Sequence, residues 1–217
     1  MRSLTRLRLL VVTIGLLLLP GPGLAADDET QNSFQKNTTG SHTELFGFGK
    51  MEVALTAGYG FAIKVGGRTD DMNDLEYVYV APRFGIGISD IKGQDEWYRG
   101  SFELLVETPL LFQYEPGNGQ AKGGSLLLRY NFLPEDKFIP FVEIGGGIMS
   151  LDFDLEGQSD GFNFTLQGGT GLHYFIHERT ALTGGWRWLH ISNTGISSPN
   201  QGIDSSLFLV GISYFLD

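Results

Sequence analysis

From Met51 to Val65 every odd position is apolar or aromatic (Met51, Val53, Leu55, Ala57, Tyr59, Phe61, Ile63, Val65), while Glu52, Ala54, Thr56, Gly58, Gly60, Ala62 and Lys64 fill the even ones. A strict period of two describes a strand with one apolar face and excludes an amphipathic helix, whose period is 3.6. The pattern recurs down the chain. Val78, Val80, Phe84, Ile86 and Ile88 alternate with Tyr77, Tyr79, Arg83, Gly85 and Gly87, and Phe102, Leu104, Val106, Leu110 and Phe112 with Ser101, Glu103 and Glu107. Leu126, Leu128, Tyr130 and Phe132 oppose Ser125, Arg129 and Asn131; Val142, Ile144 and Ile148 oppose Glu143, Gly145 and Gly147. Phe162, Phe164, Leu166, Leu172, Tyr174 and Ile176 oppose Asn163, Thr165, Gln167 and His173. Leu182, Trp186 and Trp188 oppose Thr183 and Arg187, and Phe208, Val210, Ile212 and Tyr214 oppose Leu209, Gly211 and Ser213, which completes eight candidate strands.

Which face is inside follows from the charges. Glu52, Arg83, Glu103, Glu107, Arg129, Glu143 and Arg187 all lie opposite the large aliphatics. Several strands exceed the usual 5 to 6 residues, and aromatic residues gather toward their ends. An apolar outer band around a polar, side-chain-filled interior is the pattern of an outer-membrane barrel. The fold expected is therefore all-β, an eight-stranded antiparallel transmembrane β-barrel over residues 49–217. A soluble exported lipid-binding barrel is the competing architecture.

Export is expected on independent grounds. Arg2, Arg6 and Arg8 precede a largely apolar run from Leu9 to Leu19 and the small residues Gly23-Leu24-Ala25, the order of a secretory signal peptide over residues 1–25. The apolar run is too short for a membrane-spanning helix, which takes about 20 residues. No cysteine occurs anywhere in the chain, so lipoprotein-type attachment and a disulfide scaffold are both excluded. Removing the leader takes away three arginines and no acids, moving the formal charge from -10 to -13 and leaving no basic stripe for nucleic acid. Residues 26–48 are polar and patternless and read as a flexible N-terminal extension entering the barrel near Phe48.

With both termini in the periplasm, the connections near 66–74, 113–123, 151–160 and 193–203 fall outside the cell, and those near 90–98, 133–137 and 177–179 inside. Parity then decides the chemistry. His190 and Ser192 share a face with Leu182, Trp186 and Trp188, and Asp204 shares one with Phe208, Val210, Ile212 and Tyr214, so all three polar groups face lipid at the outer leaflet. Polar groups in that position are costly and usually functional. His190 as general base, Ser192 as nucleophile and Asp204 as the acid that orients the ring would cleave an ester, with Asn193 or Asn200 supporting the oxyanion. A base only two residues from its nucleophile on one strand is an unusual arrangement.

The run Arg187-Trp188-Leu189-His190-Ile191-Ser192-Asn193, with Gly195-Ile196 and Pro199-Asn200-Gln201-Gly202-Ile203, resembles the signature of the lipid A 3-O-deacylases (PagL type). The resemblance is strong over residues 140–217 and generic before them. It implies an eight-stranded outer-membrane barrel that hydrolyses the ester-linked 3-hydroxyacyl chain at position 3 of lipid A without a cofactor. It also implies His190 as base and Ser192 as nucleophile, with Asn193 and Asn200 in support. Two positions depart from the family. Its acid is a glutamate, whereas Asp204 is one methylene shorter; and its barrels end on an aromatic residue, whereas this chain ends Tyr214-Phe215-Leu216-Asp217, with Phe215 the residue able to stand in.

The expected partners are lipid A or lipopolysaccharide and other outer-membrane lipids, with a homodimer left open. The rival functions are a non-catalytic structural or interaction barrel and another lipid hydrolase such as a phospholipase. Trp186 and Trp188 read first as members of the aromatic girdle, Arg187 as an interior ion partner of Glu143, and His173 as an interior residue, while His42 and His177 read as solvated. No spacing of His, Asp and Glu suggests a metal site. The runs Gly145-Gly146-Gly147 and Gly168-Gly169 precede no helix and read as interior packing rather than phosphate loops.

Overall fold

The computed structural model describes residues 42–134 and 137–216. The expected signal peptide and residues 26–41 of the expected extension lie outside the described residues. Nine strand segments run β1 (Met51–Ala62), β2 (Glu76–Gly87), β3 (Gly100–Glu107), β4 (Leu110–Glu115), β5 (Gly119–Phe132), β6 (Phe138–Asp152), β7 (Gly161–His177), β8 (Thr180–Ser192) and β9 (Ile203–Leu216). Both β3 and β4 pair with β2 on one side and β5 on the other, so they are two halves of one stave. The break falls at Thr108-Pro109, where the proline has no N–H to give the ladder; Thr108 donates instead to Pro82 O (3.1 Å), and Pro109 O accepts from Gly123 (3.0 Å).

Every neighbouring pair is antiparallel, and β1 closes the cylinder by pairing with β9 from Met51↔Leu216 to Ala62↔Ser205. The result is the expected eight-stranded barrel. Its outer wall carries the predicted aliphatics, with Leu55, Leu126, Ile144, Ile148 and Val210 all strongly exposed, while every charged residue assigned to the lumen is buried. A closed barrel leaves no strand edge unpaired, the condition for crossing hydrocarbon with strands.

The lumen is filled in three layers. Toward the mouth with the longer connections, Met72, Leu75, Tyr77, Leu151, Phe153, Leu189, Ile191 and Ile203 form an apolar plug. At mid-height the arginines and glutamates interlock. Arg187 reaches Glu107 (2.8 Å) and Glu143 (2.5 Å), Arg129 reaches Glu52 (2.9 Å) and Glu143 (3.0 Å), and Arg83 reaches Glu107 (2.9 Å). Nε2 of His173 lies 3.4 Å from Arg129, and its Nδ1 lies 2.8 Å from the Thr183 hydroxyl. At the opposite mouth Phe46, Leu133, Ile139, Phe175, Ala181 and Phe215 pack together.

Five expectations change. Residues 42–48, counted with the flexible extension, form a 3-10 turn (His42–Leu45) and a return that seats Phe46 against Phe175 and Phe215. Gly87 makes room for that return, because a Cβ there would collide with the carbonyl oxygen of Gly47. Second, His42 is half-buried and stacked on Phe175 with ring centroids 4.3 Å apart, rather than solvated. Phe215 faces the lumen, so the outward aromatic near the chain end is Tyr214. The stretch 113–123, expected as a loop, is strand except for the turn at residues 116–118. Finally, β1 ends at Ala62, and Ile63 to Val65 belong to the following connection.

Candidate active site

At the mouth with the longer connections, β8 and β9 run antiparallel with His190 directly opposite Asp204 and Ile191 opposite Ile203. Directly opposed side chains in an antiparallel pair have Cβ atoms about 4.5 to 5.5 Å apart, close enough for an imidazole to meet a carboxylate. His190 Nδ1 lies 2.9 Å from Asp204 Oδ1. Along β8 the odd residues Thr183, Arg187, Leu189 and Ile191 are buried, as is Asn193 just beyond its end, while Leu182 and Trp186 are exposed and His190 and Ser192 partly so. The pair and Ser192 therefore stand on the outer wall, as expected from parity.

Three features bear on the expected roles. The Ser192 hydroxyl donates to Asn200 Oδ1 (3.4 Å) and accepts from the N–H of Thr194 (3.2 Å); among the described hydrogen bonds none joins it to His190. The Asn193 side chain faces inward, fully buried, and is engaged by its own loop and by the β6–β7 connection. Its Nδ2 donates to Ser159 Oγ (2.8 Å) and to Ser197 O (3.0 Å), and its Oδ1 accepts from Gly195 N–H (2.8 Å). In this arrangement the Asn193 amide is engaged in holding the loop, the supporting role expected of it. The Asn200 side chain is oriented by its acceptor oxygen, which takes the N–H of Asn193 (3.1 Å) and Nε2 of Gln158 (3.1 Å). A backbone N–H can only donate, so it fixes which end of that amide is oxygen and leaves Nδ2 on the other side.

The structure also brings in residues that the sequence reading missed. Arg68, on the connection between β1 and β2, reaches Asp204 Oδ2 through Nη2 at 2.5 Å. Gln158, buried in the connection between β6 and β7, joins Asn200 to Asn163 (2.9 Å) and accepts from the N–H of Gly202 (3.0 Å). Gln201 accepts from the N–H of Thr69 (3.0 Å). Gly202 has φ +73°, and a Cβ there would stand 3.1 Å from His190 Cε1. Trp188 stacks beside His190 with centroids 5.9 Å apart, so it walls the base as well as belonging to the girdle. The one available sequence signal for Arg68 was that no other arginine occurs in the four outer connections. Gln158 gave none.

No group of His, Cys, Asp and Glu suited to a metal ion occurs among the described residues. The arrangement thus offers a base held by a carboxylate, a hydroxyl nearby on the same face, and a pinned amide beside that hydroxyl.

Comparison with known proteins bears on the same region. No curated protein sequence matches the chain. Among solved structures, the outer membrane enzyme PagL superposes with a TM-score of 0.53 at 19% identity, covering 74% of this chain and 97% of that one. Neisserial surface protein A superposes with a TM-score of 0.51 at 18% identity, covering 76% and 98%. At such identities these likenesses establish the barrel and nothing finer. A family model described as lipid A 3-O-deacylase (PagL) matches residues 76–213, which takes in six of the connections, all of β8 and β9 as far as Ser213, and so His190, Ser192 and Asp204. The chain belongs to the lipid A 3-O-deacylase (PagL) family of outer-membrane β-barrels.

Proposed function

We propose that this barrel is a serine esterase that removes the ester-linked 3-hydroxyacyl chain from position 3 of lipid A while the substrate remains in the outer leaflet. The observation that carries the reading is the outward-facing His190–Asp204 pair, 2.9 Å apart, with Ser192 two residues along the same face. With Nδ1 turned to Asp204, Nε2 is the nitrogen left to exchange a proton.

On this reading the Ser192 hydroxyl turns from Asn200 toward His190 when the ester arrives, since catalytic hydrogen bonds often tighten only with substrate in place. His190 takes the proton as Ser192 Oγ attacks the acyl carbonyl. Asn200 Nδ2 meets the oxyanion, a contact that elsewhere is worth about 2.7 to 4 kcal/mol. Collapse breaks the bond to the sugar oxygen, which receives the proton from His190, and an acyl-serine remains. Water, deprotonated by His190, then attacks the acyl carbonyl and frees a 3-hydroxy fatty acid and the serine. Asp204 orients the ring and stabilises imidazolium in both halves. The leader over residues 1–25 directs export and is removed on the way to the outer membrane.

Mass spectrometry of lipid A from cells expressing the wild type and Ser192→Ala tests the reaction. Loss of one ester-linked hydroxyacyl chain with the wild type alone is the expected result. An acyl pattern untouched by the wild type, or equally trimmed by Ser192→Ala, overturns it in favour of an inert barrel or a different nucleophile.

A further inference from the structure

We infer that Arg68 is a positioning residue, whose guanidinium clamps Asp204 so that a carboxylate one methylene shorter than glutamate still holds the His190 ring. The inference rests on the esterase reading for its kinetic consequence, and on geometry alone for the clamp. The two oxygens of Asp204 are divided between two partners, Oδ1 to His190 Nδ1 at 2.9 Å and Oδ2 to Arg68 Nη2 at 2.5 Å. Neither member of the ion pair is a freely solvated surface group, for the Arg68 side chain is 11% exposed and that of Asp204 19%. A carboxylate bonded at one oxygen only can swing about χ2, whereas one bonded at both is held. With the shorter side chain, the distance to the imidazole is set by the Asp204 backbone, and the β1–β2 connection holds that as well: the N–H of Ile63 donates to Asp204 O at 2.7 Å.

Arg68 is itself held in place. Its neighbour Thr69 donates to Gln201 Oε1, on the connection that leads into β9. Gly202 leaves room for the pair, since a Cβ there would lie 3.8 Å from Arg68 Nη2 and 3.1 Å from His190 Cε1. The other cation of this connection, Lys64, is exposed and paired with Asp74 at 3.1 Å. Arg68 is thus the cation that faces the carboxylate, and among the described hydrogen bonds and ion pairs none joins it to His190 directly.

The test uses the full-length barrel in micelles, with Arg68→Met, Arg68→Lys and the wild type compared after each is shown folded by its heat-dependent gel mobility. Arg68→Met is expected to lower kcat on the order of tenfold to a hundredfold, the range seen when a group orienting a reactive ligand is removed, with KM little changed and Arg68→Lys recovering much of the loss. Without substrate, the low-field proton resonance of His190 Nδ1 is expected in the wild type and Arg68→Lys, and to broaden or vanish in Arg68→Met. An unchanged resonance in Arg68→Met overturns the clamp, and so does a rise in KM with kcat intact, which would make Arg68 a contact for an anionic group of the substrate. Because the resonance is read with no lipid present, it still decides the clamp if the esterase reading fails.

Discussion

Gly202 shows how closely the site is fitted at the scale of single residues. Its φ of +73° lies in the left-handed region, and the space above it is taken by the His190 ring. Gly202→Ala therefore combines backbone strain of about 1 to 2 kcal/mol with a push on the base. The expected outcome is a barrel that still folds but whose kcat for lipid A deacylation falls more than its stability does, read by pairing turnover with thermal unfolding. Asp204→Ala should be more severe. It removes the partner of His190 Nδ1 and leaves Arg68 facing no carboxylate, so a drop in kcat on the order of a thousandfold or more is expected by analogy with serine triads, and full activity in this variant would mean the acid has been misassigned. His190, Ser192 and Asp204 were readable because parity along a strand fixes the face of every residue in it. Arg68 was not, because it lies 136 residues from Asp204 in an irregular connection where no period says which way a side chain turns.

At the scale of elements, the outer connections brace one another. The backbone N–H of Glu156 donates to Asp71 Oδ2, Ser159 N–H to Pro199 O (2.8 Å), and Gln201 N–H to Gly157 O (2.9 Å), so the β1–β2, β6–β7 and β8–β9 connections are tied in a ring around the site. Partial burial alone would raise the Asp71 carboxyl, but hydrogen bonds to its ionised form, among them that from Glu156, hold it below its ordinary value of 3.8. A carboxyl held low in the folded state adds stability that is fully present above the unfolded value and lost as pH falls through the folded one. Hydrogen exchange at the Glu156 amide should accordingly stay protected at neutral pH and through the ordinary value of 3.8, and lose protection only at a pH below it, whereas Asp71→Ala, which has no acceptor oxygen, should lose it already at neutral pH. Equal protection in the two proteins at neutral pH would exclude the contact as a brace. The strands of this frame were legible from alternation, but its connections were less so. The turn signals Pro116-Gly117-Asn118-Gly119 sit in a tight hairpin whose strands extend through residues expected to be loop, and the Phe46 plug lies in a stretch with no period at all.

For the molecule as a whole, the filled lumen decides from which side substrate can arrive. An apolar plug, an ionic middle and an aromatic base fill the cylinder from mouth to mouth, so under the proposed esterase function the ester approaches His190 and Ser192 along the outer wall. The ionic layer is also where the fold is most exposed to a single substitution. Arg187 is fully buried and bonds Glu143 through Nε (3.1 Å) and Glu107 (2.8 Å) and Gln167 (2.8 Å) through Nη1. Removing one partner of a buried pair leaves an uncompensated charge and costs about 3 to 5 kcal/mol, so Arg187→Ala should unfold at markedly lower urea than the wild type in micelles. Arg187→Ala with Glu143→Gln should recover part of that loss, because the double variant removes one buried negative charge along with the guanidinium and leaves Arg129 paired with Glu52 (2.9 Å). If the single variant unfolds with the wild type, the lumen is hydrated enough to screen these charges and the layer contributes shape rather than stability.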